Sequence, residues 1–326
     1  MNIALITPKF KKDYLADTII DGLIQYCERD HEVVVGFSSL YKFDKSFANW
    51  FMKRDDFVQF AKKADLIIFI NGKDNTDYDL ANDISEWEKT VLVDVGELGL
   101  NRRLDIDNTK ALLDPSYRGR GFVDFDMLRK CRYYFRREKP YMGDIIPFTF
   151  GIERKYTQFA QNNERPIDIV SIFGQKEYPQ LRAFVNDYLS SISSKYKIRT
   201  KKTKNSFFGL KNDAQEKFYR LLSRSKIGIS VSGGGYDTAR FWEILGSNCI
   251  LFTEKIDIYR EPEKVFDFSR IYEFNDIDDF KNKIDSVVKY SQNIDWKNMK
   301  NEYDEILRRH SSLARFEFII HTFFHG

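Results

Sequence analysis

Residues 227–252 read IGISVSGGGYDTARFWEILGSNCILF. The run Ile227-Gly-Ile-Ser-Val231 is short, apolar and β-branched, as a strand buried on both faces should be. Three glycines follow, Gly233, Gly234 and Gly235. Residues 236–245 then have helical spacing, with Trp242 and Leu245 on one side and Arg240 and Glu243 on another. Gly246 stands where a C-cap is expected. Residues 249–252 make a second buried strand. The order strand, glycine turn, helix, strand is an α/β unit.

Such a unit aims the start of a helix at whatever lies beyond the strand end. Free N–H groups and the helix dipole favour an anion there. Glycines let a phosphate come close to the backbone. If the helix starts directly after the glycines, Glu243 lies roughly 12 Å from Gly235 along the axis. A diphosphate on Gly233, Gly234, Gly235, Tyr236 and Arg240, with a sugar hydroxyl on Glu243, would hold a nucleotide sugar. Taken by themselves, the residues fit an ordinary α/β unit with a glycine-rich turn equally well.

The run ARFWEILGSNCILFTE resembles the C-terminal signature of GT-B glycosyltransferases, in particular the spore-maturation (CgeB-like) branch. The shared pattern is an arginine, an aromatic residue, a glutamate and then a small residue before a buried strand. IIPFTFGIERKYTQF followed by RPIDIVSIFGQ resembles the interdomain crossing of that group and the first strand of its second domain. The likeness covers residues 145–252. It implies two Rossmann-like α/β domains facing across a cleft, and donor binding in the second. Retaining members of the related large family carry two glutamates eight positions apart. With Glu243 as the second, the first position is Gly235, so the stereochemistry of transfer stays open.

The chain has 326 residues, which favours two domains over one core. The division predicted is 1–150, an acceptor domain, and 151–326, a donor domain whose terminal helix crosses back to the first. With 52 basic and 49 acidic residues the net charge is +3, too small for a protein built to coat nucleic acid, though a local basic patch is compatible. Cys27, Cys131 and Cys249 each sit in or beside an apolar run and have no metal spacing, which predicts buried free thiols. No signal peptide and no apolar run of transmembrane length appears, so a cytoplasmic location is expected. The aromatic share, 16%, is read as core.

In the first half, apolar runs at 1–8, 31–37, 65–71 and 88–95 alternate with helical stretches at 17–28 and 56–64, which predicts a parallel sheet covered on both faces. His31 opens the second strand and is taken as structural. No G-x-G-x-x-G follows the first strand, so dinucleotide binding in this half is not expected. Ligands of open parallel sheets bind beyond the carboxyl ends of strands. That makes Glu97, just past the fourth strand, a candidate acceptor ligand or general base. Residues 131–138, CRYYFRRE, read as a strand ending in charge. Arg136 and Arg137 are candidates to neutralise a donor phosphate or an anionic acceptor. Three D-x-D matches, at Asp77, Asp105 and Asp124, do not follow strands as a metal-binding sugar transferase needs. No metal site is expected.

Residues 145–161 read as the linker. Residues 168–174 form the first strand of the second half, and the turn at Gly174 is a further donor candidate. Residues 195–202 are read as a short, solvated edge strand within the basic run KIRTKKTK at 197–204. Phe207 and Phe208 are read as core. Helices are expected at 179–190, 212–225, 277–290, 296–309 and 313–324.

The function expected from the resemblance is metal-independent glycosyl transfer from a nucleotide sugar, UDP- or GDP-linked, to a saccharide or other acceptor. No cofactor is implied beyond the donor. A DNA base glucosyltransferase and a non-catalytic nucleotide-sugar binder are the alternatives. The first predicts salt-dependent affinity for duplex DNA; the second predicts nucleotide binding without turnover.

Overall fold

The computed structural model describes residues 1–8, 13–29, 32–38, 49–71, 77–97, 112–117, 119, 121–141, 143–173, 180–202, 212–255 and 267–326. They fall into two compact units. One holds the chain up to Phe150 together with Ser312–Gly326, and the other holds Gly151–Ser311. His31, Gly174, Phe207, Phe208, Asp105 and Asp107 lie outside the described residues.

The first unit is built on a six-stranded parallel sheet of β1 (Asn2–Ile6), β2 (Val34–Phe37), β3 (Leu66–Asn71), β4 (Thr90–Asp94), β5 (Tyr133–Arg136) and β6 (Ile145–Pro147). The strands lie in the order β2-β1-β3-β4-β5-β6. The sequence assigned residues 145–147 to a linker; they are instead the edge strand, parallel to β5 with Tyr134 opposite Ile145. Around the sheet lie α1 (Tyr14–Arg29), α2 (Arg54–Lys63), α3 (Tyr78–Ile84), α4 (Phe125–Lys130) and α11 (Ser312–His325). The strands are apolar almost throughout because helices cover both faces, so alternation is absent. Ile67, Phe69, Leu92 and Phe57 are fully or nearly fully buried in one core cluster.

The last helix, α11, belongs to this first unit. Ser312 donates to the buried Asp21 carboxylate of α1, and Gln25 donates to Ser312 Oγ at 2.8 Å. Two of the D-x-D matches are helix caps. Asp77 accepts from the Leu80 N–H at 3.2 Å and Asp124 from the Met127 N–H at 3.0 Å.

The second unit has a five-stranded parallel sheet of β7 (Ile167–Phe173), β8 (Ile198–Lys202), β9 (Ser225–Ser230), β10 (Ile250–Glu254) and β11 (Ile271–Phe274). Its order is β11-β10-β9-β7-β8. The chain leaves β7 toward β8 on one side and returns to β9 on the other, so the topological switch lies between β7 and β9. Its helices are α5 (Arg154–Thr157), α6 (Gln180–Ser191), α7 (Asn212–Ser223), α8 (Ala239–Gly246), α9 (Ile277–Gln292) and α10 (Lys300–His310). Ile169, Ile229, Ile250 and a cluster of Phe252, Phe274 and Phe280 fill the core. Among the described residues no helix is long and apolar enough to cross a membrane.

Candidate functional site

Beyond the carboxyl end of β9 the chain makes a tight turn, closed by the Gly233 N–H donating to the Gly235 carbonyl at 2.9 Å. Ser232 anchors its start, its N–H donating to the Glu254 carboxylate at 2.9 Å and its hydroxyl to the same oxygen. Glu254 ends β10, so the turn is tied to the neighbouring strand. Asp237 anchors its far side by accepting from Trp242 Nε1 at 2.8 Å.

Helix α8 starts at Ala239, not at Tyr236 as the spacing predicted. Asp237, buried and bonded to Trp242, lies in a bend ahead of the helix and Thr238 is extended, so Glu243 stands only four residues past the first residue of the helix. Thr238, at the N-cap, makes no side-chain cap bond within the helix, and its hydroxyl lies 3.1 Å from Ser230 Oγ.

The far end of α8 also differs from the expectation. Ser247 is the C-cap, and the left-handed residue is Asn248, with φ 59°. Gly246 is glycine because a Cβ there would meet Tyr156 Cβ at 2.7 Å and Ile152 Cγ2 at 2.8 Å. The carbonyls at this end are taken up by Tyr303, whose hydroxyl donates to Gly246 O at 2.7 Å, and by Arg165, which donates to Ser247 O at 3.1 Å.

Arg240 and Glu243 share a face of α8 as predicted. Arg240 Nη1 lies 2.7 Å from Glu243 Oε2, and its guanidinium carbon stacks 4.0 Å from the centre of the Phe218 ring. Glu243 is only 6% exposed. Its charge is felt by Tyr156, whose pKa is pushed well above the ordinary phenol value. Burial is the main cause, with Glu153, Tyr219 and Glu243 adding to it. Tyr156 donates to Glu153 Oε1 at 2.6 Å, and Lys155 pairs with the other Glu153 oxygen. Tyr156 therefore brings a phenol within reach of the Glu243 charge, with Glu153 and Lys155 linked behind it. The sequence reading passed over them because they lie in the crossing segment, far from the glycine run in the chain.

Arg182 was also missed. It sits near the start of α6, the helix that follows β7. Its Nη2 donates to the Val231 carbonyl at 2.9 Å, and its guanidinium carbon lies 5.3 Å from the centre of the Phe173 ring. A Cβ on Gly233 would come within 2.6 Å of the same Nη2. The guanidinium therefore lies against the glycine turn, at the β7–β9 switch point where open parallel sheets take their ligands.

The first-unit candidates form a separate cluster at the carboxyl ends of β4 and β5. Arg136 is 0% exposed. It pairs with Asp94 and donates to the carbonyls of Gly121 at 2.6 Å and Phe122 at 3.2 Å. Burial pulls its pKa down, but Asp94 and Tyr134 outweigh burial and hold it above its ordinary value. A guanidinium enclosed in this way tethers the 121–122 segment. Arg137 pairs with Glu97 at 3.0 Å and lies 3.5 Å from Glu138, with its guanidinium carbon 4.8 Å from the centre of the Phe150 ring. Glu97 is buried beside it. The switch point of this sheet lies between β1 and β3, so Glu97 and Arg137 are off it. Among the described residues no three His, Cys, Asp or Glu side chains gather as a metal group.

No protein-family model matches the chain, and no curated protein sequence matches it. Solved structures do. An alpha-glucosyltransferase in complex with UDP and a 13-mer DNA containing a central A:G mismatch is 12% identical with a TM-score of 0.60, over 99% of each chain. A glycosyltransferase from Rickettsia africae is 9% identical with a TM-score of 0.54, over 99% of this chain and 97% of that one. HepE of Anabaena, in complex with UDP and glucose, is 12% identical with a TM-score of 0.53, over 99% of each. What is shared at these identities is the fold: two Rossmann-like α/β units in the GT-B arrangement of strands and helices.

Proposed function

We propose that the chain is a glycosyltransferase that takes its sugar from a nucleoside-diphosphate sugar held by the second unit. One observation carries this reading: a glycine turn at the β7–β9 switch point leads into a helix that presents Arg240 and Glu243 together on one face. In this reading the diphosphate lies on Gly233, Gly234 and Gly235 with Tyr236 beside it, and Glu243 accepts from ribose hydroxyls. Gly174, at the carboxyl end of β7 in the chain, is assigned to the same donor site. The run ARFWEILGSNCILFTE supports assignment to the CgeB-like branch. UDP is the nucleotide we favour, since two of the fold's solved relatives carry it.

Transfer breaks the bond between the anomeric carbon and the diphosphate oxygen and forms one to an acceptor hydroxyl, whose proton passes to a base. The departing diphosphate gains negative charge as it leaves. Fixed cations and backbone N–H groups stabilise it without reorganising. No metal is needed in this reading because side-chain cations supply the positive charge. For the acceptor the first unit offers Glu97, held by Arg137.

A thermal-shift panel of UDP, GDP, ADP, CMP and dTDP compounds tests the donor site. A ligand at a hundredfold excess over its Kd should raise native stability by about 2.7 kcal/mol. Release of UDP from UDP-sugar then separates an enzyme from a binding protein. If no compound shifts the melting curve, the donor reading fails.

A duplex-DNA acceptor is the second reading. It is favoured by the solved glucosyltransferase that carries DNA and by exposed Arg199 on edge strand β8 with exposed Lys197 just before it. It predicts affinity for duplex DNA that falls steeply with salt.

A further inference from the structure

Helix α11 carries two exposed histidines, His321 and His325, in its last turns. They stand four positions apart, so their side chains share one face. Their ring centres lie 5.2 Å apart with the planes inclined by 43°. Among the described residues neither imidazole is bonded to a carboxylate or a carbonyl, and each has the other as its ring contact. Of the other histidines in the chain, His310 is fully buried.

We propose that His321 and His325 together bind one divalent transition-metal ion of the copper, nickel and zinc class, with water in the remaining positions, and that the ion clamps the last turn of α11. The site lies wholly within the first unit and is independent of the donor reading.

Three features carry it. The first is geometry. Two imidazoles on one ion, with bonds of about 2.0–2.1 Å and a tetrahedral angle between them, have ring centres about 5 Å apart. The pair already stands at that separation, so little side-chain freedom is lost on binding. The second is electrostatic. The last turn of a helix carries partial negative charge from its unpaired carbonyls, which favours a cation there. The third is the donor set. Imidazole suits zinc, copper and nickel, whereas magnesium and calcium need oxygen ligands. Glu317, one turn before His321, is taken up by Arg29 at 3.2 Å, so the two imidazoles hold the ion without a carboxylate.

The clamped turn also anchors the helix. Between the two histidines in the chain, Phe323 is buried, with the Arg132 guanidinium carbon 4.6 Å from its ring centre. Helix ends open at little cost in free energy. An ion bridging residues 321 and 325 opposes that opening and holds Phe323 in place.

Titration of the metal-stripped full chain with the chlorides of copper, nickel, zinc and magnesium tests this. Calorimetry should show about one equivalent of Cu²⁺ per chain, weaker Ni²⁺ and Zn²⁺, and no uptake of Mg²⁺. His321→Asn and His325→Asn should each weaken Cu²⁺ by about tenfold or more, because the second imidazole acts as an intramolecular ligand. Both side chains are exposed, so each variant should melt near the native temperature without metal. His31→Asn should bind as the native chain does. Electron paramagnetic resonance of the Cu²⁺ form should show coupling to two imidazole nitrogens, and to fewer in either variant. Zn²⁺ should raise the melting temperature of the native chain and slow amide exchange at residues 322–326, with neither effect in the variants.

No uptake of any of the three ions by the native chain overturns the site. So does uptake that survives both substitutions, or that is lost in His31→Asn, since the ion then sits elsewhere. Binding at the pair with no change in amide exchange at residues 322–326 overturns the clamp.

Discussion

Arg240 Nη1 and Glu243 Oε2 stand 2.7 Å apart, one turn of α8 from each other, with both side chains largely buried. The carboxylate proposed for the ribose is thus already matched by a cation on its own helix. A buried carboxylate without a partner is costly, so the pair keeps the site stable before the donor arrives. Ribose hydroxyls must then share or replace the arginine.

Glu243→Ala should raise the UDP dissociation constant by roughly ten- to a hundredfold, since hydrogen bonds to a charged group contribute about 1.5 to 3 kcal/mol. Calorimetry checks this per folded molecule. A purely structural pair gives the opposite pattern, a lower melting temperature with near-native nucleotide affinity, and that pattern would end the ribose assignment.

Gly246→Ala should destabilise the second unit although it adds one methyl. The new Cβ would meet Tyr156 Cβ at 2.7 Å and Ile152 Cγ2 at 2.8 Å. Neither is the free end of a long side chain, so α8 or the 152–156 segment must shift. Overpacking of this kind costs about 1–3 kcal/mol. At about 2–4 °C per kcal/mol for a unit of this size, the melting temperature should drop by roughly 2–12 °C. A melting curve identical to the native one would show that α8 and the crossing segment are packed more loosely than this.

Arg136→Ala tests a role that the sequence did not suggest. The substitution leaves Asp94 buried with less compensation and removes the donor to the carbonyls of Gly121 and Phe122. Breaking one side of a buried pair costs about 3–5 kcal/mol. Chemical denaturation should show that loss. A variant that folds with native stability but binds or turns over donor poorly would make Arg136 a substrate contact instead.

The strands were readable because both sheets are parallel and covered on two faces, which makes most strands near-continuous apolar runs such as residues 66–70, LIIFI. Strand β6 was not, because three residues ending in Pro147 carry no pattern of their own. The start of α8 was misplaced for a different reason. Tyr236 and Asp237 fit helical spacing, but Asp237 instead accepts from Trp242 while lying outside the helix. Arg240 and Glu243 were found because three residues along a helix is a local relation. Arg182 was not, because it reaches Val231 across 49 positions, through the adjacency of β7 and β9 in the sheet. No periodicity encodes such a contact. The burial of Arg136 was not legible either: a charged pair at a strand end looks solvated, and the carbonyls of Gly121 and Phe122 that enclose it lie 15 and 14 positions away.

The last prediction concerns alkaline pH. Tyr134 is buried, donates to Asp94 Oδ2 at 2.7 Å, and has its pKa raised well above the ordinary phenol value, by burial first and then by Asp94. Tyr156 is raised in the same way by burial and by Glu153. A raised pKa means that the folded state holds the proton more tightly than the unfolded chain does. The stabilisation is therefore complete below about pH 10, where unfolded tyrosines stay protonated, and is lost as pH climbs above that value. A near-ultraviolet titration should separate the 18 tyrosines into two classes. Exposed phenols should ionise reversibly near pH 10. The buried class should ionise later, together with loss of the circular dichroism of the fold. Tyr134→Phe should remove one phenol from the late class while leaving Asp94 bonded to Arg136 and to the Gly96 N–H at 2.7 Å. If all the tyrosines ionise in one reversible step near pH 10 with the dichroism intact, Tyr134 and Tyr156 are not enclosed by a closed core.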